Sequence, residues 1–385
     1  MGTTIFAEMS ALAGTTGSVN LGQGFPDTDG PREIAAAAAE AIMQGRGNQY
    51  PPGPGIPELR QAVAVHQKRF YGIDVDPDTQ VLVTAGATEA IAAALIALLE
   101  PGDEAIAFEP YYDSYAACVA MAGATRVPVT LRPPDFRPDL DALRAAITSR
   151  TRLILLNTPH NPTGAVFTPD EVAQIAELAC AHDLLVVSDE VYEHMVYDGI
   201  HVPIVSLPGM SERTVTISSA AKMFGFTGWK VGWVTGSPEL VTAVRTVKQF
   251  LTYVTGGPFQ YAVAEALALP DDYYAAISAD LRVKRDFVYE GLAGVGFEVY
   301  RPAGTYFITT DVRPLGYDDG MEFCRDLPRR AGVVAIPSVV FYDNTDAGRS
   351  QVRFAFCKKQ DVLAEALSRL SGLGRAGRGK GGLGD

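Results

Sequence analysis

Cysteine is scarce in this sequence, which has only 4 in its 385 residues. The scarcity excludes a disulfide framework of the kind that holds small secreted domains together. No two cysteines form a C-x-x-C pair, and each lies among apolar neighbours, so we expect buried free thiols in a reducing cytoplasm. The four are Cys118, Cys180, Cys324 and Cys357.

Long apolar runs are also absent. No stretch of about 18 consecutive apolar residues occurs, so we expect no membrane-spanning helix. The first residues, MGTTIFAEMSALAG, have no basic segment followed by an apolar core, which a secretory signal would need. Phe6 stands where a myristoylation signal has Ser or Thr. We therefore expect a cytoplasmic protein.

Net positive charge is lacking as well. The formal net charge is −13 and the pI is about 4.9. The electrostatic field of a protein with this net negative charge repels polyanions, so nucleic acids and anionic membranes are poor candidates as partners. The length, with 47% hydrophobic and 20% charged residues, is typical of a globular protein with two packed domains.

Three common ligand-binding motifs are missing. A nicotinamide-binding domain needs G-x-G-x-x-G directly after a strand, but GQGFPD (22–27) and GPGIPE (53–58) lack its third glycine. The spacing of a phosphate-binding P-loop does not occur either. No cluster of His and Cys has the spacing of metal ligands, so we expect no metal site.

Between residues 31 and 270, short apolar runs alternate with longer helical patterns. The runs are continuous, which is typical of strands covered on both faces. The predicted fold class is therefore α/β, with a mainly parallel sheet covered by helices. The strand candidates are TQVLVTAG (79–86), EAIAFEP (104–110), RLILLNTP (152–159), LLVVSDE (184–190), TVTIS (214–218) and VGWVTG (231–236). The helix candidates are 31–45, 87–103, 168–183, 237–254 and roughly 271–293.

After Pro270 the pattern changes to a long helix followed by short strands, as in a smaller α+β domain. The sequence thus predicts an N-terminal segment, a large domain, a small domain and a glycine-rich tail that we expect to be disordered. Their limits are 1–30, 31–270, 271–371 and 372–385.

Polar side chains follow three of the predicted strands. Asn161 lies just beyond the strand RLILLNTP. Asp189 lies near the end of LLVVSDE, and Tyr192 follows it. Ser219 and Lys222 follow TVTIS. Because ligands of parallel sheets bind at the carboxyl ends of strands, we expect these side chains to converge. Pyridoxal phosphate suits this set, since it attaches to a lysine as a Schiff base and needs an acid at its pyridinium nitrogen.

The ring of this cofactor would contact four side chains. Asp189 would keep the ring nitrogen protonated, and Asn161 and Tyr192 would bind the phenolic oxygen. Tyr112, in EPYYDSY, would stack on the ring, although the sequence does not separate it from the two other tyrosines there.

The phosphate of the cofactor also needs donors. TAGATEA (84–90) lies between a strand and a helix, so the amides of Ala87 and Thr88 would point at an anion from a helix N-terminus. Ser219 and Lys230 are the further candidates.

The chain resembles the pyridoxal-phosphate-dependent aminotransferases of fold type I, class I/II. The resemblance covers about residues 5–370. NLGQGFPD (20–27) and NQYPPGPG (48–55) are similar to the subgroup that contains kynurenine/glutamine-type and N-succinyldiaminopimelate aminotransferases. The motifs that match in order are NTPHNPTG (157–164), SDEVY (188–192), SSAAK (218–222), TGWKVGW (227–233) and VRF (352–354).

This resemblance implies a seven-stranded, mainly parallel sheet in the large domain and a homodimer. Tyr50 is implied to reach the cofactor phosphate in the neighbouring subunit. The implied catalytic residues are Lys222, Asp189 and Tyr192. The implied cofactor-binding residues are Ala87, Thr88, Tyr112, Asn161, Asp189, Tyr192, Ser219, Lys222, Lys230 and Tyr50. The implied substrate-binding residues are Gly24, Phe6, Asn161 and Arg353, of which Arg353 would bind the α-carboxylate through two hydrogen bonds.

The expected reaction moves an amino group from an L-amino acid to a 2-oxo acid, with 2-oxoglutarate as the expected acceptor. The same cofactor chemistry also serves β- or γ-elimination and replacement, including carbon–carbon bond formation. Ala221 and Met223 depart from the family pattern around Lys222, so this alternative stays open. A non-catalytic regulator is disfavoured, because the resemblance leaves no room for a DNA-binding domain. The sequence does not define the amino-acid substrate.

Overall fold

A computed structural model describes residues 4–373 of the chain. Nearly all of the predicted disordered tail, 374–385, lies outside the described residues. The strands are β1 (Val19–Asn20), β2 (Val81–Thr84), β3 (Glu104–Glu109), β4 (Thr125–Thr130), β5 (Thr151–Asn157), β6 (Leu185–Asp189), β7 (Thr214–Ser219), β8 (Gly232–Thr235), β9 (Glu298–Tyr300), β10 (Phe307–Asp311), β11 (Val333–Val334), β12 (Ile336–Pro337) and β13 (Gln351–Ala355).

The α-helices of the described residues alternate with these strands. They are α1 (Ile5–Thr16), α2 (Arg32–Met43), α3 (Pro57–Tyr71), α4 (Gly86–Leu98), α5 (Asp113–Met121), α6 (Leu140–Ala146), α7 (Pro169–Ala181), α8 (Ala220–Met223), α9 (Pro238–Leu251), α10 (Gly257–Leu267), α11 (Asp271–Val295), α12 (Gly320–Ala331), α13 (Thr345–Gly348) and α14 (Gln360–Leu370).

The central sheet has seven strands in the order β2-β8-β7-β6-β5-β3-β4. All pairs are parallel except those of β8, which runs antiparallel to β2 and β7. The predicted α/β class with a mainly parallel, seven-stranded sheet is therefore confirmed. The order places the carboxyl ends of β5, β6 and β7 side by side, where the sequence predicted converging polar groups.

Strand β5 shows why the central part of these strands is apolar. Leu153 and Leu155 pack on one face of the sheet with α4, α5 and α9. Ile154 and Leu156 pack on the opposite face with α7. Alternate side chains thus enter two different cores, so the 2.0-residue period of a strand leaves no polar position.

Strand β4 was missed by the sequence analysis. It pairs only with β3 and forms one edge of the sheet. Pro128 lies inside it and Arg126 is half-buried, so the strand lacks an apolar run. An edge strand tolerates a proline, because one of its sides makes no ladder hydrogen bonds.

Helix α7 begins directly after Thr168, the first residue of the predicted range 168–183. Thr168 accepts a hydrogen bond from the Glu171 N–H, and the Glu171 side chain accepts one from the Thr168 N–H. This reciprocal pair satisfies two donors that the first helical turn leaves free. The long helix predicted over 271–293 is also present as α11.

The C-terminal part contains an antiparallel sheet of the order β12-β13-β10-β9. Strand β1 pairs with β11, with Val19 opposite Val333, and so ties the N-terminal segment to this part. The predicted domain limits themselves stay a prediction. Within residues 4–373, no helix is both long and apolar enough to cross a membrane.

Candidate active site

A cavity of about 350 Å³ opens at the carboxyl ends of β5, β6 and β7. Both sheets contribute to it, and the N-terminal segment covers it. Twelve of the predicted site residues line it, and Tyr50 does not. The twelve are Phe6, Gly24, Ala87, Thr88, Tyr112, Asn161, Asp189, Tyr192, Ser219, Lys222, Lys230 and Arg353.

Lys222 enters the cavity from α8, directly after β7. Its ammonium donates a hydrogen bond to the Gly24 carbonyl at 3.3 Å. It also lies 5.9 and 5.6 Å from the ring centroids of Tyr192 and Tyr306. Burial disfavours the charged amine and lowers the pKa of Lys222 to about 8. A minority of the amine is therefore neutral, and nucleophilic, near physiological pH, but a far larger share than for a lysine of ordinary pKa.

Asp189 ends β6 and is buried. Burial raises the pKa of this carboxyl to about 6, while hydrogen bonds oppose that rise. The Tyr115 hydroxyl donates to Asp189 Oδ2 at 2.6 Å, and the Val191 N–H donates to Oδ1 at 3.3 Å. These contacts fix the direction of the carboxylate inside the cavity.

The three tyrosines of EPYYDSY have different positions. Tyr112 and Tyr115 line the cavity. The Tyr111 hydroxyl instead donates to Asp343 at 2.7 Å. The structure is thus compatible with Tyr112 as the stacking residue, and it shows a contact of Tyr115 with Asp189 that the sequence analysis missed.

Asn157 is a further residue that the sequence analysis missed. Its amide donates to the Asp189 carbonyl at 2.8 Å, and its Oδ1 accepts from the Asn161 N–H at 2.8 Å. It therefore links the ends of β5 and β6. Its position as the polar residue directly after the apolar run 153–156 was the available signal.

Arg353 reaches the cavity from β13 of the smaller sheet and is buried. Its guanidinium donates to Asn161 Oδ1 and to the Gly22 carbonyl, both at 3.0 Å. The ring of Phe307 lies 4.1 Å from its central carbon. Burial lowers the pKa of Arg353 to about 10, so it remains a cation at neutral pH. The Nε atom has no partner among the described residues.

A group of donors lies at the start of α4. A Cβ built on Gly86 would lie 3.2 Å from Lys230 Nζ, so the ammonium sits against the N-terminus of the helix. A Cβ on Gly232 would lie 2.8 Å from the Ala87 nitrogen, so only glycine fits there. Together with Ser219, these groups form a cradle of N–H, O–H and ammonium donors that suits a phosphate.

The N-terminal segment closes the cavity at Gly24. A Cβ on Gly24 would lie 2.5 Å from Phe307 Cζ, so a side chain would collide with that ring. The Tyr306 hydroxyl donates to the Gly24 carbonyl at 2.7 Å. Phe6 packs 6.1 Å, centroid to centroid, from Phe341. Tyr306 was not predicted, and no local pattern distinguishes it from a core tyrosine.

These residues fit pyridoxal phosphate on four counts. The cavity holds a lysine with a lowered pKa, a buried carboxylate, an aromatic ring beside them and an anion cradle at a helix N-terminus. Arg353 reaches the cavity from β13 of the four-stranded sheet, whereas the cradle residues follow or adjoin strands of the seven-stranded sheet. It is thus available for a second anion, such as a substrate carboxylate.

The chain belongs to the family described as "Aminotransferase class I and II", which matches residues 16–370. It is therefore an enzyme that depends on pyridoxal phosphate and transfers amino groups. The predicted class of reaction is confirmed, and the alternative of elimination or replacement finds no support among the relatives.

Several named relatives cover almost the whole chain. A probable N-succinyldiaminopimelate aminotransferase DapC of Mycobacterium tuberculosis is 55% identical over 96% of each chain. The methionine aminotransferase of Escherichia coli is 40% identical over 97% of this chain and 96% of its own. The solved structure of N-succinyldiaminopimelate aminotransferase from M. tuberculosis superposes with a TM-score of 0.95, at 56% identity and 97% coverage of both chains.

Proposed function

We propose that the cavity around Lys222 is the site of amino transfer between an L-amino acid and a 2-oxo acid. The observation that carries this proposal is the meeting of Lys222, Asp189 and Arg353, from two sheets, around one cavity. Lys222 would hold the cofactor covalently through Nζ. When bound, pyridoxal phosphate supplies an electron sink that stabilises negative charge at the α-carbon of the substrate.

Lys222 is the proposed proton carrier. Once the substrate amine has replaced it, its freed Nζ would remove the proton from the α-carbon. An amine with a pKa of about 8 serves both as base and as acid near neutral pH, because both of its forms are populated.

Asp189 is the proposed partner of the pyridinium nitrogen. A carboxylate there holds a proton on that nitrogen and so maintains the electron sink. Asn161 and Tyr192 are the proposed partners of the phenolic oxygen. Burial raises the pKa of the Tyr192 hydroxyl, so it remains a hydrogen-bond donor at physiological pH.

Arg353 is the proposed anchor of the substrate α-carboxylate. The aromatic rings around it exclude water and strengthen its attraction for an anion. Its planar fork offers two parallel donors, which a lysine cannot reproduce. The amide of Asn161 and the backbone at Gly22 hold that fork in place.

The proposed assembly is a homodimer. Tyr50, Phe250, Leu251 and Tyr253, here called the aromatic face, are 82%, 81%, 46% and 49% exposed. The rings of Tyr50 and Tyr253 lie 5.6 Å apart, which joins the two segments into one surface. Exposed aromatic side chains grouped in this way favour burial against another protein. A second copy covering this face would bring Tyr50 toward the neighbouring cavity.

The proposed amino donor is an N-succinylated diamino acid, and the proposed acceptor is 2-oxoglutarate. The names of the relatives support this choice: the 55% identical protein is named for N-succinyldiaminopimelate and a 38% identical mouse protein for kynurenine and oxoglutarate. A cytoplasmic location is also proposed, because all four cysteines are free thiols, which suits a reducing compartment.

The test is a half-reaction screen with the cofactor-loaded enzyme and one amino acid at a time. Conversion of the cofactor to its amine form, with release of the matching 2-oxo acid identified by mass, supports amino transfer. N-succinyldiaminopimelate should react with a higher kcat/KM than methionine or kynurenine, and the reverse order contradicts the substrate proposal. Lys222→Ala should retain cofactor but lose at least about 100-fold in rate, whereas the exposed Lys68→Ala should not.

A further inference from the structure

A second group of polar side chains does not line the cavity, and two of its members directly follow Tyr192 in the chain. It consists of His66 from α3 and of Glu193 and His194, which follow β6. The Nε2 atoms of the two histidines are 2.8 Å apart. One carboxylate oxygen of Glu193 and the two histidine nitrogens all lie within 4.8 Å of one another.

Glu193 is a buried carboxylate without a cationic partner. It is 5% exposed, and among residues 4–373 it forms no salt bridge. Within the described residues, the Ser218 hydroxyl donates to its Oε1 at 2.5 Å, and the Tyr71 hydroxyl lies nearby. A buried acid of this kind is stabilised either by a proton or by a cation.

The two histidines face each other through their Nε2 atoms. Only one proton fits between the two facing Nε2 atoms. At least one of these nitrogens therefore carries a lone pair that points toward the other histidine. In the same region, His66 Nδ1 is buried without a hydrogen-bond partner among the described residues. The group therefore does not satisfy itself.

We propose that His66, His194 and Glu193 form a binding site for one divalent transition-metal ion, with Zn²⁺ as the preferred ion. Two imidazoles and a carboxylate are ligands that suit zinc, and neutral imidazoles bind it without releasing a proton. None of the three residues lines the active-site cavity, so the site is separate from the cofactor.

The geometry needs a small adjustment. Tetrahedral zinc with bonds of about 2.0–2.1 Å places its ligand atoms about 3.3 Å apart. The histidine pair would therefore open by about 0.5 Å, and the Glu193 carboxylate would move inward. Water would complete the coordination through the half-buried side of His194. Ser218 donates to Glu193 Oε1 at 2.5 Å and would orient the carboxylate toward the ion.

The ion would be structural. Glu193 follows Tyr192, which lines the cavity, and Ser218 precedes Ser219, which lines it too. A bond from His66 to this turn would tie α3 to the segments that carry those two residues. Because an ion that binds only the folded state raises its stability, metal should raise the melting temperature of the holoenzyme.

The experiment measures metal in the purified holoenzyme. The protein is stripped with a chelator, loaded with Zn²⁺, passed through gel filtration and analysed by mass spectrometry for zinc. One equivalent per chain is expected. Loading with Co²⁺ instead should produce the visible absorption of a tetrahedral site, at longer wavelengths than the band of the cofactor.

His66→Gln should weaken zinc binding by more than about 100-fold. Loss of a residue that only supports a metal ligand costs about 10- to 100-fold, so a larger loss indicates a direct ligand. The matched control is His182→Gln, which changes an exposed histidine after α7 and should leave binding unaltered. Equal zinc content in the wild type and His66→Gln would overturn the proposal. A wild-type enzyme that retains no zinc after gel filtration would also overturn the proposal. This second outcome does not depend on whether the variant folds.

Discussion

The Tyr115 hydroxyl donates a 2.6 Å hydrogen bond to Oδ2 of Asp189, and both residues are buried. Burial alone would raise the pKa of Asp189 further, and this bond opposes the effect by stabilising the carboxylate. Tyr115 therefore keeps Asp189 ionised, which is the form that the proposed contact with a protonated pyridine requires.

Tyr115→Phe should impair the enzyme mainly at acidic pH. The variant loses a hydrogen bond to a charged group, about 1.5–3 kcal/mol, so the pKa of Asp189 should rise. The acidic limb of the kcat/KM profile should then move to higher pH, with a loss of about tenfold or more on that limb. Tyr111→Phe is the matched control, because Tyr111 bonds to Asp343 and does not line the cavity. An unchanged acidic limb would show that Tyr115 has no such influence.

The reactivity of Lys222 gives a second prediction, in the apoenzyme. Only the neutral amine attacks the aldehyde of the cofactor, and burial lowers the pKa of Lys222 from 10.5 to about 8. The rate of covalent attachment, followed by stopped-flow absorbance, should thus rise with pH and level off above about 8. A rate that continues to rise toward pH 10.5, the ordinary value for lysine, would contradict the lowered pKa.

The parts of the site that the sequence predicted are those in which the signal is local. Lys222, Asp189 and Asn161 each follow an apolar run, and the end of a buried strand is visible in a single sequence. The rule that ligands bind at such ends then places them together. Arg353 lies on another sheet, so only the resemblance carried by VRF connected it with the cavity.

The parts that were missed depend on contacts between distant segments. Tyr115 and Asp189 are 74 residues apart, and the Tyr306 contact with Gly24 spans 282 residues. Nothing in EPYYDSY shows which tyrosine faces which partner, because Tyr111 and Tyr112 precede helix α5 and only Tyr115 lies within it. Similarly, His66 and His194 are 128 residues apart, so their contact has no local sequence signal.

A third prediction concerns Arg353→Lys. The lysine keeps the charge but loses the two-pronged contact, so kcat/KM for amino acids should fall by about 10- to 100-fold, mostly through KM. An amine substrate without a carboxylate should lose much less, because it never uses that contact. Arg313→Lys, which changes an exposed arginine paired with Asp311, is the control. Equal losses with both substrates would exclude Arg353 as the carboxylate anchor.

The fourth prediction tests the homodimer with two changes in the aromatic face. Phe250→Ser removes an exposed ring from the proposed interface, so light scattering should show a shift toward monomer and cofactor affinity should fall. Val283→Ser, at a residue 63% exposed on α11, is the control for loss of an exposed apolar side chain.

Tyr50→Phe should separate assembly from cofactor binding. The ring remains, so the variant should stay dimeric, but the hydroxyl proposed to reach the phosphate of the neighbouring subunit is lost. Loss of one hydrogen bond to a charged group, about 1.5–3 kcal/mol, should weaken cofactor affinity by about tenfold or more. Fluorescence titration of the apoenzyme with cofactor measures this change. A dimeric variant with wild-type affinity would exclude Tyr50 from the site, whereas a wild-type monomer with full activity would overturn the dimer itself.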